Sequence, residues 1–200
     1  MIIRHMTVED VEAAAALQVL AFPPPFPAEL LWQPDHLLAH LAKFPRGQWV
    51  AVVNEQIVGS LSNCIFSEAN WQSHGPWFES IGTLYANGHH PRGTTLFGLD
   101  ITVHPDFRKR GIGTAFYQTR FQLTRELGLA RYGTGCRLPD LALHPQLTPE
   151  EYAEKVQSGE LTDGTLTPML RFGLKFVSVA RDYMEDEESR NAAAILEWTP

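Results

Sequence analysis

The sequence predicts an α/β (α+β) domain in which helices flank a mixed, mostly antiparallel sheet of about seven strands. Strand-like and helix-like segments alternate along the chain, and a hairpin signal lies near residue 55. Only one pair of strands is joined by a clear helical crossover, which makes that pair parallel. The 200 residues contain no internal repeat, so we expect a single domain over residues 1–200.

Seven segments have the apolar alternation, or the β-branched and aromatic residues, of strands. They lie at residues 1–5, 48–53, 57–66, 96–103, 132–136, 174–180 and 192–198. The second and third form a hairpin, because only the polar turn at 54–56 separates them. In the fourth, Phe97, Leu99 and Ile101 share one face, and Asp100 lies on the other.

Four helices are predicted, and each starts with a recognisable signal. The signals are a capping Thr with an acidic residue three positions later, a Pro at the first helical position, or a Gly-rich turn. The helices cover residues 7–20, 34–44 and 111–127, and a last one begins at 148. The third links strands 96–103 and 132–136, and Gly128 fits its C-cap.

Two long segments lack a sustained pattern. Residues 67–95 are rich in Gly, Asn, His and Pro, with a short strand expected near 78–85. Residues 138–170 form the second segment. Because function tends to collect on such loops, we expect both to border the functional site.

Composition narrows the class of protein. The net charge of −7 argues against nucleic acid and anionic membranes as partners. The two cysteines form neither a disulfide framework nor a zinc pattern, and the N-terminus has acidic residues where a signal peptide needs an apolar run. We therefore expect a cytoplasmic protein. His36 and His40 share a helical face, but the glutamate of a zinc-protease helix is missing after His36, so no metal site is expected.

The strongest local signal is "VHPDFRKRGIGTAFYQTRF" at residues 103–121, where a strand runs into a helix through a basic, glycine-containing turn. A helix N-terminus has unpaired N–H groups and partial positive charge, which favour an anion. Gly111 and Gly113 let a phosphate approach the backbone, and residues 108–110 add positive charge. The turn is neither a P-loop nor a dinucleotide fingerprint, because both patterns are incomplete.

The pattern Arg108-x-x-Gly111-x-Gly113 after "VHP" resembles the acetyl-CoA signature of the GNAT N-acetyltransferase superfamily. The resemblance extends to "IRHMTVEDVEAA" at the N-terminus and to the order of the elements. The segment from Gly135 onward is similar to the GNAT domain fused to some bacterial carbon–nitrogen hydrolases. The resemblance implies that the fourth and fifth strands are parallel and splay apart.

The resemblance also implies a cosubstrate, acetyl-CoA, and the residues that bind it. The pantetheine arm would pair with the strand before the turn, and the pyrophosphate would bind the backbone of the turn. These cofactor-binding residues are Ile101, Thr102, Val103, Arg108, Lys109, Arg110, Gly111, Ile112, Gly113 and Thr114. The acyl acceptor would be a small-molecule or peptide amine, and the two long segments would border its side of the channel. A homodimer is compatible with the resemblance.

The catalytic groups are less clear from the sequence. Direct transfer of acetyl to an amine needs a base, for which Asp100 and Glu79 are the candidates. The family's usual acid, a Tyr four residues before a Gly, corresponds to Met169 before Gly173. Tyr152 or Tyr183 could replace it. The sequence therefore leaves three functions open: an acyl-CoA-dependent N-acyltransferase, a non-catalytic acyl-CoA-binding or sensory module, and a protein or nucleic-acid acetylation factor. The acidic total argues against nucleic acid as the acceptor of the third, but not against a basic protein tail.

Overall fold

A computed structural model describes residues 1–200 and contains one seven-stranded sheet. The strands are β1 (Ile2–His5), β2 (Trp49–Val53), β3 (Gln56–Phe66), β4 (Thr95–Val103), β5 (Arg131–Arg137), β6 (Lys175–Ala180) and β7 (Ala193–Trp198). Their order across the sheet is β1-β2-β3-β4-β5-β7-β6. All neighbours are antiparallel except β4 and β5, which are parallel. The predicted fold class is confirmed.

Seven helices surround the sheet. They are α1 (Val11–Ala21), α2 (Pro34–Lys43), α3 (Glu68–Ser73), α4 (Trp77–Ile81), α5 (Ile112–Glu126), α6 (Pro149–Ser158) and α7 (Leu166–Arg171). The four predicted helices correspond to α1, α2, α5 and α6. Thr148 caps α6 as expected, since its side chain accepts the N–H of Glu151 and the Glu151 carboxylate accepts the N–H of Thr148.

The expected strand near 78–85 is wrong. Residues Trp77–Ile81 form α4 instead, and Gly82 ends that helix with a φ of 66°. Trp77 and Ile81, one helical turn apart, are both buried and fix the helix against the core. The predicted hairpin is present, and its two turn residues, Asn54 and Glu55, both have positive φ, as tight hairpin turns require.

The parallel pair β4–β5 is short, and this positions the site. Only three residue pairs are in register, and the last of them is Phe97 with Gly133. Beyond it β4 continues along β3, while β5 continues along β7 as far as Arg137. The two strands therefore separate at their C-terminal ends, as predicted. A bulge at Ser62/Asn63 leaves Leu99 without a partner on β3 at the same level.

Apolar side chains fill both faces of the sheet. One core includes Trp32, Phe66 and Phe97 beneath α1 and α2, with the two phenylalanine rings stacked at 4.1 Å. The other core lies beneath α5 and α6 and includes Leu123 and Tyr152. Because each face is covered, the gap between β4 and β5 is bounded by packed elements on both sides.

Candidate functional site

A cavity of about 400 Å³ lies between the N-terminus of α5 and the start of α7. Nine of the ten predicted cofactor residues line it, namely Ile101, Thr102, Val103, Arg108, Lys109, Gly111, Ile112, Gly113 and Thr114. Arg110 is the exception, because its guanidinium lies over the Phe107 ring at 5.0 Å and does not line the cavity. Pro168, Met169 and Phe172 form the opposite wall.

The backbone of the turn leaves a row of free donors at this cavity. The N–H groups of residues 109–114 have no acceptor within the protein, and the first bond of α5 is that of Ala115 to Gly111. No side chain caps the helix. Gly111 has a φ of 84°, which favours glycine, and a Cβ at Gly111 or Gly113 would meet only open space. The turn therefore offers unpaired donors, a helix dipole and room for an anion.

The Arg108 side chain also stabilises the turn through hydrogen bonds within the protein. Its Nη2 donates to Ala21 O at 3.0 Å, at the C-terminal end of α1, and its Nε donates to Val103 O at 3.3 Å. The Arg108 N–H is also used, in a bond to Pro105 O. The set of free donors thus starts at Lys109, one residue later than expected, and Arg108 ties the turn to α1.

A second cavity of about 240 Å³ lies on the other side of the gap. Its walls are mostly aromatic and aliphatic, and its carboxylate is that of Asp100. The aromatic walls are Phe22, Phe26, Trp32, Trp77 and Tyr183. Four residues line both cavities, namely Phe22, Ile101, Thr165 and Met169. The two cavities therefore adjoin where β4 and β5 separate.

Asp100 is held in a defined orientation on β4. Its Oδ2 accepts hydrogen bonds from Gln18 Nε2 at 2.8 Å and from Thr102 Oγ1 at 2.7 Å. Burial raises the pKa of the Asp100 carboxyl, while the bonds from Thr102 and Gln18 and the nearby Arg120 charge oppose that rise. A carboxylate with a raised pKa at the edge of a cavity is suited to accept a proton.

Arg120 is a buried cation beneath this strand, with only 2% of its surface exposed. All three of its hydrogen bonds go to neutral oxygens: Nε to Asn63 Oδ1 at 2.8 Å, and Nη2 to the carbonyls of Asp100 at 2.7 Å and Ser62 at 3.3 Å. These acceptors flank the bulge between β3 and β4. Arg120 therefore connects α5 to the place where the sheet opens.

The other sequence candidates lie in different places. Glu79 is exposed on α4 and lines neither cavity. Met169, at the position of the usual acid, lines both cavities. Tyr152 lies outside both, and its hydroxyl donates to Asp163 at 2.8 Å. Tyr183 lines the second cavity. The structure thus brings Asp100, Met169 and Tyr183 together and leaves Glu79 and Tyr152 apart.

Several residues of the site carried no signal in the sequence. Trp32 follows α1 in an irregular segment, and Trp77 begins a short helix that looked like a loop. Arg120 did interrupt the apolar side of its helix, which is a detectable signal for a buried polar contact. No group of three or more His, Cys, Asp or Glu side chains is placed to hold a metal ion, and no helix is long and apolar enough to cross a membrane.

The parallel strands β4 and β5 separate at one end, with unpaired backbone donors on one side of the gap and a buried carboxylate on the other. This is the arrangement that the resemblance to acetyltransferases predicts. Residues 11–145 match the acetyltransferase (GNAT) family, and the chain belongs to that family. The resemblance seen in the sequence is confirmed.

Two curated relatives from Bacillus subtilis (strain 168) match nearly the whole chain. The uncharacterized N-acetyltransferase YkwB is 36% identical over 197 residues, which cover 98% of this chain and 87% of the relative. The probable hydrolase YhcX is 30% identical over 200 residues, covering 99% of this chain but 38% of the relative. The second match therefore concerns only part of a longer protein.

Solved structures share the fold at low sequence identity. The loading GNATL domain of CurA from Lyngbya majuscula has a TM-score of 0.85 at 18% identity, covering 99% of this chain and 96% of that one. The GphF GNAT-like decarboxylase, solved in complex with isobutyryl-CoA, has a TM-score of 0.82 at 22% identity, covering 100% and 99%. Both likenesses concern the fold alone.

Proposed function

We propose that the protein is an acyl-CoA-dependent N-acyltransferase that moves acetyl from acetyl-CoA directly to an amine. The observation that carries the proposal is the meeting of two chemically different cavities at the gap between β4 and β5. One contains a row of free backbone donors, and the other contains Asp100. An anionic cosubstrate and a basic acceptor would thus reach the same point from opposite sides.

The residues of the first cavity fit the chemistry of coenzyme A. The N–H groups of residues 109–114 would hold the pyrophosphate, since they lack internal acceptors and the glycines leave room for it. Lys109 would add positive charge. The edge of β4 from Ile101 to Val103 lies beyond the last pair with β5 and lines the same cavity, so its backbone is available to the pantetheine arm.

Asp100 would act as the base. The ammonium of the acceptor would donate to the Asp100 carboxylate and pass its proton there, which frees the nitrogen lone pair for attack. Gln18 and Thr102 orient the carboxylate by their hydrogen bonds to Oδ2. Acetyl-CoA, when bound, supplies the activated acyl carbon. As the amide forms, the nitrogen loses a second proton and the departing thiolate gains one, which gives the thiol of coenzyme A. Asp100 then releases its own proton to solvent, so the products are the amide, the thiol and one proton.

A second candidate function rests on Met169. A thioether cannot donate a proton to a departing thiolate, and Met169 lines both cavities where the family's usual acid is expected. This observation favours a non-catalytic acyl-CoA-binding or sensory module. Under the first proposal, the departing thiolate would instead take its proton by way of water.

The test is an assay of coenzyme A release with acetyl-CoA, run across a panel of primary amines and without amine. Amine-dependent release with an amide product supports the acyltransferase. Binding of acetyl-CoA without release for any amine supports the binding module. Isobutyryl-CoA should be assayed in parallel, because a structural neighbour binds that acyl group. Equal or faster transfer of isobutyryl would contradict the preference for acetyl.

A further inference from the structure

We propose that the acyl acceptor is a primary amine with an apolar body, whose nitrogen binds between the Asp100 carboxylate and the hydroxyl of Tyr183. This inference rests on the proposed function, because it names the substrate class of the same site. It assigns Tyr183, which lies on the segment between β6 and β7, to direct contact with the acceptor.

The Tyr183 hydroxyl is buried and lies beside the Gly135 backbone, with which it forms no well-aligned hydrogen bond. The residue is only 5% exposed, its Oη has no hydrogen-bond partner, and its side chain lines the cavity that contains Asp100. The hydroxyl lies against β5 at Gly135, where any Cβ would collide with the phenol. Gly135 is two residues beyond Gly133, the last residue of β5 that pairs with β4. The phenol of Tyr183 therefore lies beside the opening of the gap, with its hydroxyl against Gly135.

The backbone of Tyr183 is fixed on both sides, so the hydroxyl is held in position. The Tyr183 N–H donates to Asn191 O, and the Tyr183 carbonyl accepts from the Trp77 N–H, both at 2.6 Å. A buried polar group that lacks a partner is costly, and native proteins usually satisfy it with protein, water or ligand. Burial also raises the pKa of Tyr183, so the phenol stays neutral and can accept a hydrogen bond from an ammonium N–H.

The remaining walls favour an apolar body. Trp32 and Trp77 pack with their ring centroids 5.6 Å apart, and Phe22 and Phe26 pack at 5.0 Å. The cavity volume of about 240 Å³ exceeds that of a roughly 150 Å³ apolar cavity that accepts benzene, so an aromatic ring fits. Aromatic faces also attract the cationic end of an amine.

Two cations line this cavity, Arg120 and Arg137, and both are already engaged within the protein. Arg120 donates to Asn63 and to the carbonyls of Ser62 and Asp100, so its hydrogen bonds serve β3 and β4. Arg137 donates from Nε and Nη2 to both oxygens of Asp186, at 2.7 and 2.8 Å, and from Nη2 to Glu188 at 3.0 Å. Its guanidinium also lies over the Phe26 ring at 5.0 Å. Arg137 thus anchors the β6–β7 segment, and the cavity has no need of a carboxylate on the acceptor.

Three matched amines test the substrate class. Phenethylamine, ethylamine and phenylalanine would each be titrated calorimetrically into protein saturated with coenzyme A. We expect phenethylamine to bind at least 10-fold more tightly than ethylamine, because only the former fills the aromatic walls. It should also bind more tightly than phenylalanine, whose carboxylate would face Asp100. Tighter binding of phenylalanine, or no binding of any of the three, would overturn the proposal.

The role of the hydroxyl is tested by Tyr183→Phe, with Tyr132→Phe as the matched control. Tyr132 is also fully buried and its hydroxyl also lacks a partner, but it lines neither cavity. We expect Tyr183→Phe to weaken phenethylamine binding roughly 10- to 100-fold, as for a lost hydrogen bond to a charged group. Coenzyme A binding should stay unchanged in both variants, and Tyr132→Phe should bind the amine as the wild type does.

Unchanged amine affinity in a folded Tyr183→Phe protein would overturn the assignment of Tyr183. The proposed function fails by a different result. If the wild type binds phenethylamine beside coenzyme A but transfers no acyl group to any amine, the transferase proposal is wrong while the amine site stands. Binding and turnover are separate measurements, so the two failures are distinguishable.

Discussion

Asp100 is the single ionisable group through which both the reaction and its pH dependence would act. Its carboxylate accepts from Gln18 and Thr102, and burial raises its pKa. A base must be deprotonated to work, so activity should fall as the pH is lowered through this raised pKa. Because the rise opposes ionisation, the acid limb should lie above that of an ordinary aspartate.

We expect Asp100→Asn to lower kcat/KM for transfer by about 100-fold or more, since general bases contribute roughly that much. The thermal shift produced by coenzyme A should persist, because Asp100 lines only the second cavity. Glu79→Gln is the matched control: this carboxylate is exposed on α4 and should be dispensable. Loss of activity in the Glu79 variant with retention in the Asp100 variant would reverse the assignment of the base.

The cradle at the start of α5 can be tested by filling it. Gly113→Asp would place bulk and negative charge where a phosphate is expected, while the folded backbone has open space for the side chain. A helix N-terminus tolerates Asp, so folding should survive. At about 100 times its Kd, coenzyme A should stabilise the wild type by about 2.7 kcal/mol. That corresponds to a melting shift of roughly 5–10 °C, which the variant should lose.

Two further variants show why Gly113→Asp would lose coenzyme A binding. Gly113→Asn has the same shape as the aspartate without its charge, so a partial shift there would separate repulsion from steric exclusion. Arg108→Ala should weaken coenzyme A binding less than Gly113→Asp does. It should also lower the melting temperature without ligand, because it removes the bonds to Ala21 and Val103. A full coenzyme A shift in folded Gly113→Asp protein would place the pyrophosphate elsewhere.

At the scale of elements, Arg120 joins α5 to the bulge between β3 and β4. Replacing it with Met would preserve much of its volume but leave the oxygens of Ser62, Asn63 and Asp100 without their donor. We expect a loss of about 2–4 kcal/mol in the free energy of unfolding, measured by urea denaturation. Arg125→Met, on the exposed side of the same helix, removes only the contact of its guanidinium with the Trp198 ring at 4.7 Å and should cost no more than about 1 kcal/mol. Equal midpoints for the two variants would contradict this role.

The elements that the sequence predicted well are those with strong local signals. Gly111 needs a positive φ, and Thr148 with Glu151 forms a capping box, so short-range chemistry located α5 and α6. Helices α3, α4 and α7 were missed because they have only five or six residues. Such short helices are stabilised by tertiary packing more than by propensity, and one window of sequence cannot reveal that packing.

The two cavities also differ in how well the sequence predicted their residues. Nine of ten predicted cofactor residues line one cavity, because most of them belong to one continuous strand–turn–helix segment. The acceptor cavity combines Trp32, Trp77 and Tyr183, which are far apart in sequence and meet only through the folded sheet. Periodicity and capping rules contain no information on such contacts. The expectation that function collects on long loops did indicate two segments that line this cavity, one through Trp77 and the other through Thr165 and Met169.

At the scale of the whole molecule, the acceptor cavity depends on the contacts that hold the segments above the sheet in place. His40 on α2 makes two of these contacts. It is only 1% exposed, its Nε2 lies 2.8 Å from Leu84 O, and its ring packs against Trp32 at 4.8 Å. It thereby joins α2 to the segment that follows α4, next to a tryptophan of the cavity. The stability of this arrangement should therefore depend on the charge of one histidine.

Burial lowers the pKa of His40 to about 4. In the unfolded chain a histidine has a pKa of about 6.5, so between about pH 6.5 and pH 4 the unfolded state binds more protons than the folded one. Stability should thus be full above about pH 6.5 and fall as the pH is lowered, by about 3 kcal/mol at pH 4 from this residue alone. His40→Gln, which cannot titrate but can still donate to Leu84 O, should flatten that fall, whereas His90→Gln at an exposed position should preserve it. Urea midpoints measured from pH 4 to pH 7 for the three proteins decide the matter: parallel curves for wild type and His40→Gln would show that His40 does not govern the acid sensitivity.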